Sequence, residues 1–242
     1  MSASEFDAYK DRYREAVQSA IAFAGMNVDY CTEAKAEALL EICRRRLGAT
    51  SRLQVLDLGC GVGLSDSYLA SAFRTLWGVD VSPECLATAA RRNPGVHYQV
   101  YEGDTLPFAD GTFDVVFAIC VLHHVGLDQR ARFVAEMHRV VRQGGLTVVF
   151  EHNPFNPLTR MAVSRCPFDA GVVLLRPKGT AQLLTRSGLE VVERRYILFF
   201  PFRSRILRAV EGSLHMLPLG GQYYMVGRRV AAVEVPAVAT AA

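Results

Sequence analysis

The feature that most constrains this sequence is a regular alternation of short apolar segments with amphipathic segments, which begins at Leu53. The apolar segments predict strands over residues 54–58, 76–80, 96–100, 114–119 and 146–151. The amphipathic segments between them predict helices around residues 64–73, 83–92 and 129–141. Apolar strands separated by helices form parallel sheets that helices cover on both faces. The alternation therefore predicts a doubly wound, Rossmann-like α/β fold.

The last third of the chain adds two strands to this sheet, at residues 189–199 and 222–229. Helices are predicted beside them, at residues 180–187 and 203–215. Because only a short helix separates the two strands, they are expected to pair antiparallel at one edge. The complete sheet is then seven-stranded and mostly parallel, with an antiparallel edge strand.

Three segments follow from these patterns. Residues 1–48 show helical spacing of apolar positions and predict an N-terminal helical cap. Residues 49–230 form the main domain. Residues 231–242 consist mostly of Ala, Val and Pro and are expected to be a flexible tail.

Composition and charge exclude several classes of protein. The 242 residues carry a formal net charge of only +3, and no stretch concentrates enough base to follow a phosphate backbone, so no nucleic-acid partner is expected. The six cysteines form no CxxC pair. No signal peptide is recognisable, and the apolar runs are shorter than the roughly 20 residues that span a bilayer. We therefore expect a cytoplasmic protein without stable membrane insertion.

The segment that carries most information about function is a glycine-rich turn directly after the first strand. Gly59, Gly61 and Gly63 alternate with other residues, and Asp57 precedes them. Glycines at such a turn let the backbone approach a ligand closely, and ligands bind outside the carboxyl ends of parallel strands. Alternatively, the glycines only allow a tight connection between a strand and a helix, and no ligand binds there. No Gly-Lys-Ser/Thr follows, which excludes a P-loop, and the alternating glycines differ from the GxGxxG of dinucleotide dehydrogenases.

Two carboxylates follow the next strands. Asp80 ends the second strand and can accept hydrogen bonds from both hydroxyls of a ribose. Asp104 follows the third strand and can receive an exocyclic amine of adenine, with Val81 and Leu106 as apolar faces beside the base. Each acid alone is more often a helix cap or a surface group, but their order on successive strands favours a nucleoside ligand.

These motifs resemble those of class I S-adenosylmethionine (SAM)-dependent methyltransferases, in the small-molecule branch that contains ubiquinone-pathway enzymes. The resemblance covers roughly residues 53–151 and is looser elsewhere. Its motifs are residues 57–63 (DLGCGVG), Asp80, 104–108 (DTLPF), 113–117 (FDVVF), 121–125 (VLHHV) and 142–145 (RQGG).

The resemblance implies SAM as the cofactor and a set of residues that contact it. The expected cofactor-binding residues are Tyr13, Asp57, Gly59, Cys60, Gly61, Gly63, Asp80, Val81, Asp104, Thr105, Leu106 and Ile119.

Three histidines are candidate catalytic residues. His123 and His124 follow the fourth strand, and His152 follows the fifth, near the edge where the methyl group of the cofactor would point. Transfer to a hydroxyl requires loss of its proton, and an imidazole titrates near neutral pH. Our hypothesis is that His152 or His123 accepts this proton. The alternative is that these histidines only pack on the cofactor or cap a turn.

Substrate contacts are expected from His123, His152, Asn153 and Tyr9. Asn153 precedes Pro154 and is alternatively a turn residue. Tyr9 and Tyr13 share one helical face, which the resemblance implies can close over the site, although packing of the cap is the alternative. Residues 154–178 form the expected acceptor-pocket insertion, since insertions after the fifth strand often have this role in the family.

The predicted activity is methyl transfer to a small-molecule acceptor, most simply at oxygen, with nitrogen or carbon left open. The apolar residues 196–202, followed by arginines, suggest as an alternative a prenylated, quinone-like or lipid-linked acceptor at a membrane surface. An NAD-dependent oxidoreductase and a non-catalytic SAM-binding protein are the alternatives from other classes. No metal ligands are named, because the sequence shows no carboxylate–histidine cluster that demands a metal. A metal requirement and a homodimer both stay open.

Overall fold

The structure, a computed structural model, describes residues 12–169, 171–201 and 205–230, with the backbone alone for residues 205–209. Within these residues one sheet contains seven strands. The strands are β1 (Gln54–Leu58), β2 (Thr75–Asp80), β3 (His97–Val100), β4 (Phe113–Ile119), β5 (Val141–His152), β6 (Leu189–Ile197) and β7 (Gln222–Arg229). The described helices are α1 (Tyr13–Ile21), α2 (Val28–Leu47), α3 (Asp66–Leu69), α4 (Pro83–Arg92), α5 (Arg130–Val140), α6 (Pro157–Arg165), α7 (Pro177–Arg186) and α8 (Arg205–Leu214).

The strand order is β3–β2–β1–β4–β5–β7–β6, and the strands from β3 to β5 run parallel. β7 runs antiparallel to both β5 and β6, so the antiparallel pairing lies at one edge. The predicted doubly wound, mostly parallel sheet is therefore confirmed. The strands β1, β2 and β3 follow one another toward one edge of the sheet, and the chain then returns to the other side of β1 as β4. Because the strand order reverses there, a crevice opens outside the carboxyl ends of β1 and β4.

Both faces of the sheet are buried. Along β4, Val116 and Ala118 point into one apolar cluster with residues of α5 and α7, while Val115 and Phe117 point into a second cluster with residues of α2. Neighbouring side chains of a strand alternate between the two faces, so a strand that is covered on both sides must be apolar throughout. This explains why the central strands read as continuous apolar runs.

Several element boundaries differ from the sequence prediction. β5 begins at Val141 instead of residue 146, because Val141 already pairs with Phe113 before an irregularity in the β4–β5 register. The expected acceptor-pocket insertion, residues 154–178, contains α6 and a 3-10 turn, Pro167–Asp169, for which no helix was predicted. Asn156 caps α6, since its side chain accepts a hydrogen bond from the backbone of Thr159, and Pro157 occupies the first helical position.

The N-terminal segment packs at the same end of the sheet. α1 contacts both α2 and α6, and a small apolar cluster joins Ala20 to Cys166 and Phe168. Tyr9 lies outside the described residues, as do the predicted tail at 231–242 and part of the cap. Among the helices that the structure describes, none combines the length and apolar character needed to cross a membrane.

Candidate active site

A large cavity lies at the carboxyl ends of the parallel strands. Its volume is about 790 Å³, near the upper end of the range of roughly 300–1,000 Å³ that small-molecule sites occupy. The turn after β1, the end of β2, the turn after β4 and the end of β5 line it, and α1 together with the 3-10 turn at Pro167–Asp169 covers part of it.

The glycine-rich turn forms one wall of this cavity. Gly61 has a φ of +52°, and a Cβ at this position would meet nothing within 4 Å, so its bare backbone faces the open cavity. Gly63 has another role. A Cβ there would lie 2.6 Å from Asn93 Nδ2 and 2.8 Å from the Tyr98 hydroxyl, so this glycine permits close packing between the turn and α4, away from the cavity.

Asp80 fixes the same turn. Its Oδ2 accepts a hydrogen bond from the backbone N–H of Gly61 at 2.8 Å, and its Oδ1 accepts one from the backbone N–H of Ser82 at 3.0 Å. Each carboxylate oxygen can accept a further bond. The carboxylate therefore stands at the cavity wall beside Gly61 and Val81, oriented by two backbone donors.

The expected adenine-side residues are only partly brought to the cavity. Asp104 lines it, but its side chain is 65% exposed and forms an ion pair with Arg132 at 3.0 Å. Leu106 is buried in the core beneath the loop, and its N–H donates to Glu136 at 2.8 Å. Neither Leu106 nor Thr105 is part of the cavity wall. The cofactor role predicted for these two residues therefore finds no support in the position of their side chains.

Two buried carboxyl groups lie behind the glycine turn, and sequence analysis identified only one of them. Asp57 lines the cavity, and Asp66, at the start of α3, accepts a hydrogen bond from the Tyr98 hydroxyl at 2.6 Å. Burial, together with the negative charge of Asp66, raises the pKa of Asp57 well above its ordinary value. Burial likewise raises the pKa of Asp66 to about 6, against the opposing effect of the Tyr98 hydrogen bond. The pair therefore retains a proton to unusually high pH.

The opposite wall of the cavity holds a cluster of histidines and carboxylates. His123 Nδ1 lies 2.7 Å from Glu151 Oε2, and both side chains are almost completely buried. Asp169, from the 3-10 turn, brings its Oδ1 to 3.2 Å from His124 Nε2 and 3.6 Å from His123 Nε2. The His152 ring centroid lies 5.1 Å from that of His123. We call these five residues, His123, His124, Glu151, His152 and Asp169, the histidine–carboxylate cluster.

The turn that carries His123 and His124 is held by the strands and by α5. Cys120, directly after β4, has a φ of +57° and donates its N–H to the Phe150 carbonyl at 2.8 Å. Arg130 of α5 donates to the carbonyls of Val125 and Val173, which ties the turn to the insertion. A non-glycine residue in the left-handed region is strained, and such strain is characteristic of functional turns. Ile119, the last residue of β4, lines the cavity beside Cys120.

Charge is distributed unevenly within the cluster. Burial alone would lower the pKa of His123, but the charge of Glu151 and the contact with Asp169 raise it to about 10. Burial, reinforced by the positive His123, lowers the pKa of His152 to about 4. The histidines in turn keep the pKa values of Glu151 and Asp169 below their usual range, although burial acts in the opposite direction. Two carboxylates thus surround one cationic imidazole.

Asn153 does not take the place predicted for it. Its side chain is completely buried, donates to the carbonyls of Pro218 and Gly220 at 3.0 and 2.7 Å, and accepts from the N–H of Phe155. It does not belong to the cavity wall. The alternative explanation, a turn residue, describes this asparagine, because its side chain bonds to Phe155 in its own loop and to two carbonyls of the loop before β7.

Some residues that were predicted to bind the cofactor line the cavity, and other residues of its wall were not predicted. Tyr13 lines the cavity, with its ring stacked on Phe168 at a centroid distance of 4.9 Å, and Cys60 lies in the wall beside Gly61. Lys35 of α2 also lines the cavity and forms no ion pair with another described residue. Lys35 was not predicted, because the helical periodicity of α2 does not indicate that its ammonium group faces a ligand site. Asp169 was missed because its partners are distant in sequence.

Comparison with known proteins agrees with these observations. Residues 56–149 match the model of a family described as a methyltransferase domain. An uncharacterized methyltransferase of Synechocystis sp. is 36% identical over 104 residues, which cover 43% of this chain and 49% of the relative. A ubiquinone biosynthesis O-methyltransferase of Rhizobium leguminosarum bv. trifolii is 29% identical over 170 residues, which cover 63% of this chain and 65% of that protein. The chain thus spans about half the length of the first of these relatives and less than two thirds of the second.

A solved structure shows the same fold over nearly the whole chain. A chain from the complex between the Haloferax volcanii Trm112 methyltransferase activator and a methyltransferase superposes with a TM-score of 0.68. It is 18% identical, and the alignment covers 94% of this chain and 98% of that chain. The resemblance stated from the motifs is confirmed over residues 56–149, which match a methyltransferase domain, and the fold of the chain is the one found in solved SAM-dependent methyltransferases.

Proposed function

We propose that this protein transfers the methyl group of SAM to a hydroxyl oxygen of a small-molecule acceptor. The observation that carries the proposal is that a single cavity has two chemically different ends. One end contains the glycine turn and Asp80, and the other contains the histidine–carboxylate cluster. β1 and β4 are neighbours in the sheet, so the two ends lie on adjacent strands.

At the first end, the proposed cofactor contacts follow from the geometry. The carboxylate of Asp80 accepts hydrogen bonds from the ribose hydroxyls, and the bare backbone of Gly61 allows close approach. Gly59 belongs to the same wall. Lys35 and Asp57 line the cavity near this turn. The ammonium group of Lys35 complements the carboxylate of the methionine part, and the carboxyl group of Asp57 offers oxygen acceptors to its ammonium group. Val81 contributes an apolar surface for the adenine.

At the second end, the acceptor hydroxyl lies against the cluster. A lone pair of its oxygen attacks the methyl carbon, the bond from that carbon to sulfur breaks, and its electron pair returns to sulfur. The products are a methyl ether and S-adenosylhomocysteine. The hydroxyl proton must leave in the same process, and the cluster promotes its loss. His124 and His152 both line the cavity and are half-buried. His124 Nε2 lies 3.2 Å from Asp169, and both ring nitrogens of His123 are close to carboxylates, so we propose His152 as the group nearest to the acceptor hydroxyl.

Holding the two reactants in line accounts for much of the expected rate enhancement. Tyr13 of α1 lines the cavity and stacks on Phe168, so α1 covers the region between the two ends. We propose that the N-terminal helical segment acts as a lid that excludes water during transfer.

Binding and turnover test the proposal separately. Isothermal titration with SAM, S-adenosylhomocysteine and NAD should show binding of the first two only, because the glycine turn lacks the dinucleotide spacing. A screen of hydroxylated small molecules with methyl-labelled SAM should then give a labelled methyl ether. Binding of NAD alone would contradict the proposal, and SAM binding without transfer to any acceptor class would leave a non-catalytic SAM-binding protein.

A second candidate is a prenylated or quinone-like acceptor that is presented at a membrane surface. The observation that favours it is an exposed apolar surface on α6 and the loop before β7. Phe155 and Leu158 are each 53% exposed, and Leu219 is 65% exposed. The Asn156 side chain donates to the Leu219 carbonyl at 2.7 Å, which joins the two segments, and Leu158 also lines the cavity.

The ubiquinone biosynthesis relative makes this acceptor class a natural second choice. Co-sedimentation with liposomes should detect binding through this apolar surface. The double variant Leu158→Glu, Leu219→Glu should lose the binding to liposomes without a change in SAM affinity. Equal binding of the wild type and this double variant to liposomes would exclude the second candidate.

A further inference from the structure

We infer that His123, His152 and Asp169 form a binding site for one divalent transition-metal ion with the ligand preference of Zn²⁺. Each of these side chains offers one ligand atom, and the three atoms lie within 4.8 Å of one another. Sequence analysis named no metal ligands, because these residues are separated along the chain by up to 46 positions, the span from His123 to Asp169. The fold brings them together at the acceptor end of the cavity.

The donor set suits such an ion. Catalytic zinc sites are built from three protein ligands, commonly two imidazoles and one carboxylate, with one position left open. Metal–ligand bonds of about 2.0–2.1 Å in a tetrahedral site place neighbouring ligand atoms about 3.3–3.4 Å apart. His123 Nε2 and Asp169 Oδ1 are 3.6 Å apart, so an ion between them requires only a small contraction. Mg²⁺ and Ca²⁺ fit poorly because they prefer oxygen ligands.

The residues behind the ligands are arranged as metal sites require. Glu151 accepts a hydrogen bond from the Leu122 N–H at 2.8 Å with one oxygen and contacts His123 Nδ1 at 2.7 Å with the other. A carboxylate on Nδ1 fixes one proton of the imidazole there. Binding of the ion would displace the second proton, on Nε2, and would use the lone pair that points away from Glu151. His123 Nε2 is therefore held as a ligand by a partner that is itself fixed.

The other two ligands are supported as well. His124 Nε2 lies 3.2 Å from Asp169 Oδ1 and orients this carboxylate. The Gln222 side chain lies 3.3 Å from His152 Nδ1. A half-turn of this amide places its oxygen, which has no other hydrogen-bond partner among the described residues, toward an Nδ1–H and leaves Nε2 of His152 for the ion.

An independent observation points to a ligand at this position. His123 is 3% exposed, and its Nε2 has no hydrogen-bond partner within the described residues, since 3.6 Å to Asp169 is too long for a hydrogen bond. A buried polar atom without a partner is costly and rare. A cation between Nε2 and Asp169 would satisfy both groups.

The open position of the ion would face the cavity, because all three ligands belong to its wall. A hydroxyl bound to a divalent ion loses its proton more readily, so an ion here would activate the oxygen that receives the methyl group. This role rests on the proposed methyl transfer, whereas binding of the ion does not. A test of ion binding and a test of methyl transfer can therefore fail independently of each other.

The experiment uses the full chain after treatment with a chelator, titrated with Co²⁺ as a spectroscopic substitute for Zn²⁺, and then with Zn²⁺ in competition. We expect one Co²⁺ per chain, visible absorption bands of nitrogen and oxygen ligation, and displacement by Zn²⁺. His152→Ala and Asp169→Asn should each abolish these bands. Glu151→Gln should weaken binding by roughly 10–100-fold because it removes the fixed partner of His123.

His97→Ala is the matched control, since it removes an exposed imidazole that stacks on Trp77 at the far edge of the sheet. It should bind Co²⁺ as the wild type does. SAM binding is measured for every variant and shows that the variant is folded and that the first end of the cavity is intact.

Two results would overturn the inference. One is Co²⁺ binding that is absent, or that is equal in the wild type, His152→Ala and Asp169→Asn. The other is a thiolate-to-cobalt absorption band that disappears in Cys120→Ser, which would assign the ion to the cysteine beside the cluster. If SAM binds normally in either case, the proposed methyltransferase function is unaffected.

Discussion

The two ends of the cavity are built in different ways. The glycine-turn end comes from one short stretch of chain, in which Asp57, Gly61 and Asp80 lie within two successive strand–turn units. The cluster end draws His123 from the turn after β4, Glu151 from β5 and Asp169 from the insertion. A locally encoded site binds what the whole family shares, while a site assembled from distant segments can change with the insertion. We infer that the cofactor is set by the first end and the acceptor by the second.

The sharpest test of this division is His152→Ala. Loss of a group that promotes proton transfer should reduce turnover of a hydroxyl acceptor by about 10²–10⁴-fold, because such groups typically contribute this much. SAM affinity should change by less than about threefold, since His152 belongs to the other end. Steady-state kinetics and titration calorimetry measure the two effects, with His97→Ala as the control.

The reciprocal test is Asp80→Ala. Hydrogen bonds to a charged group contribute about 1.5–3 kcal/mol each, so loss of the ribose contacts should weaken SAM binding by roughly 100-fold or more. Asp104→Ala is the matched control, because it removes an exposed carboxylate from the same wall and should have a much smaller effect. If both variants lose equal affinity, Asp104 contacts the nucleoside as strongly as Asp80 does, and the distinction between the two carboxylates is wrong.

The same division explains what the sequence could predict. The strands, the parallel topology and the positions of Gly61 and Asp80 were all predictable, because periodicity and motif spacing are local properties. The convergence of Asp169 with His123 was not predictable, since no local pattern reports which distant residues an insertion will bring near. α6 was not predicted although Asn156-Pro157 is a regular cap followed by a first-turn proline, because an Asn-Pro dipeptide is equally typical of a turn.

Asn153 and Gly63 show a further limit. Both occur where a motif predicts a ligand contact, and both are used by the fold itself. The Asn153 side chain forms hydrogen bonds with three backbone groups, one in its own loop and two in the loop before β7. Gly63 lets α4 approach the glycine turn. Residue type and position in a motif therefore do not distinguish a residue that contacts a ligand from one that shapes the wall behind it.

The buried carboxyl pair predicts a pH effect that belongs to the glycine-turn end alone. The pKa of Asp66 rises to about 6 in the folded protein, from an ordinary value near 4, so the folded state binds more protons than the unfolded state in this window. Stability without cofactor should therefore fall as the pH rises from about 4 to about 6, and it should stay reduced above that range.

Asp66→Asn should remove most of this dependence. We expect the variant to be more stable than the wild type at pH 7 by about 2 kcal/mol, with little or no gain at pH 4. Urea denaturation at a series of pH values measures the effect. Parallel curves for the two proteins across the whole range would mean that Asp57 and Asp66 do not share a proton.

The smallest expected effect concerns the helix that joins the two ends. Tyr13 stacks on Phe168 with an angle of 12° between the rings, and Phe168 directly precedes Asp169 of the cluster. Aromatic pairs of this kind contribute about 0.5–1.5 kcal/mol beyond the area that they bury. A double-mutant cycle of Tyr13→Leu and Phe168→Leu should give a coupling energy of this size for unfolding.

If α1 is only packed against the insertion, this coupling energy is the whole effect of the Tyr13–Phe168 contact. If α1 is a lid, Tyr13→Leu should also weaken SAM binding several-fold and speed its dissociation, because opening of the cavity becomes easier. Unchanged SAM kinetics with a normal coupling energy would therefore exclude the lid and confine α1 to a structural role at the acceptor end.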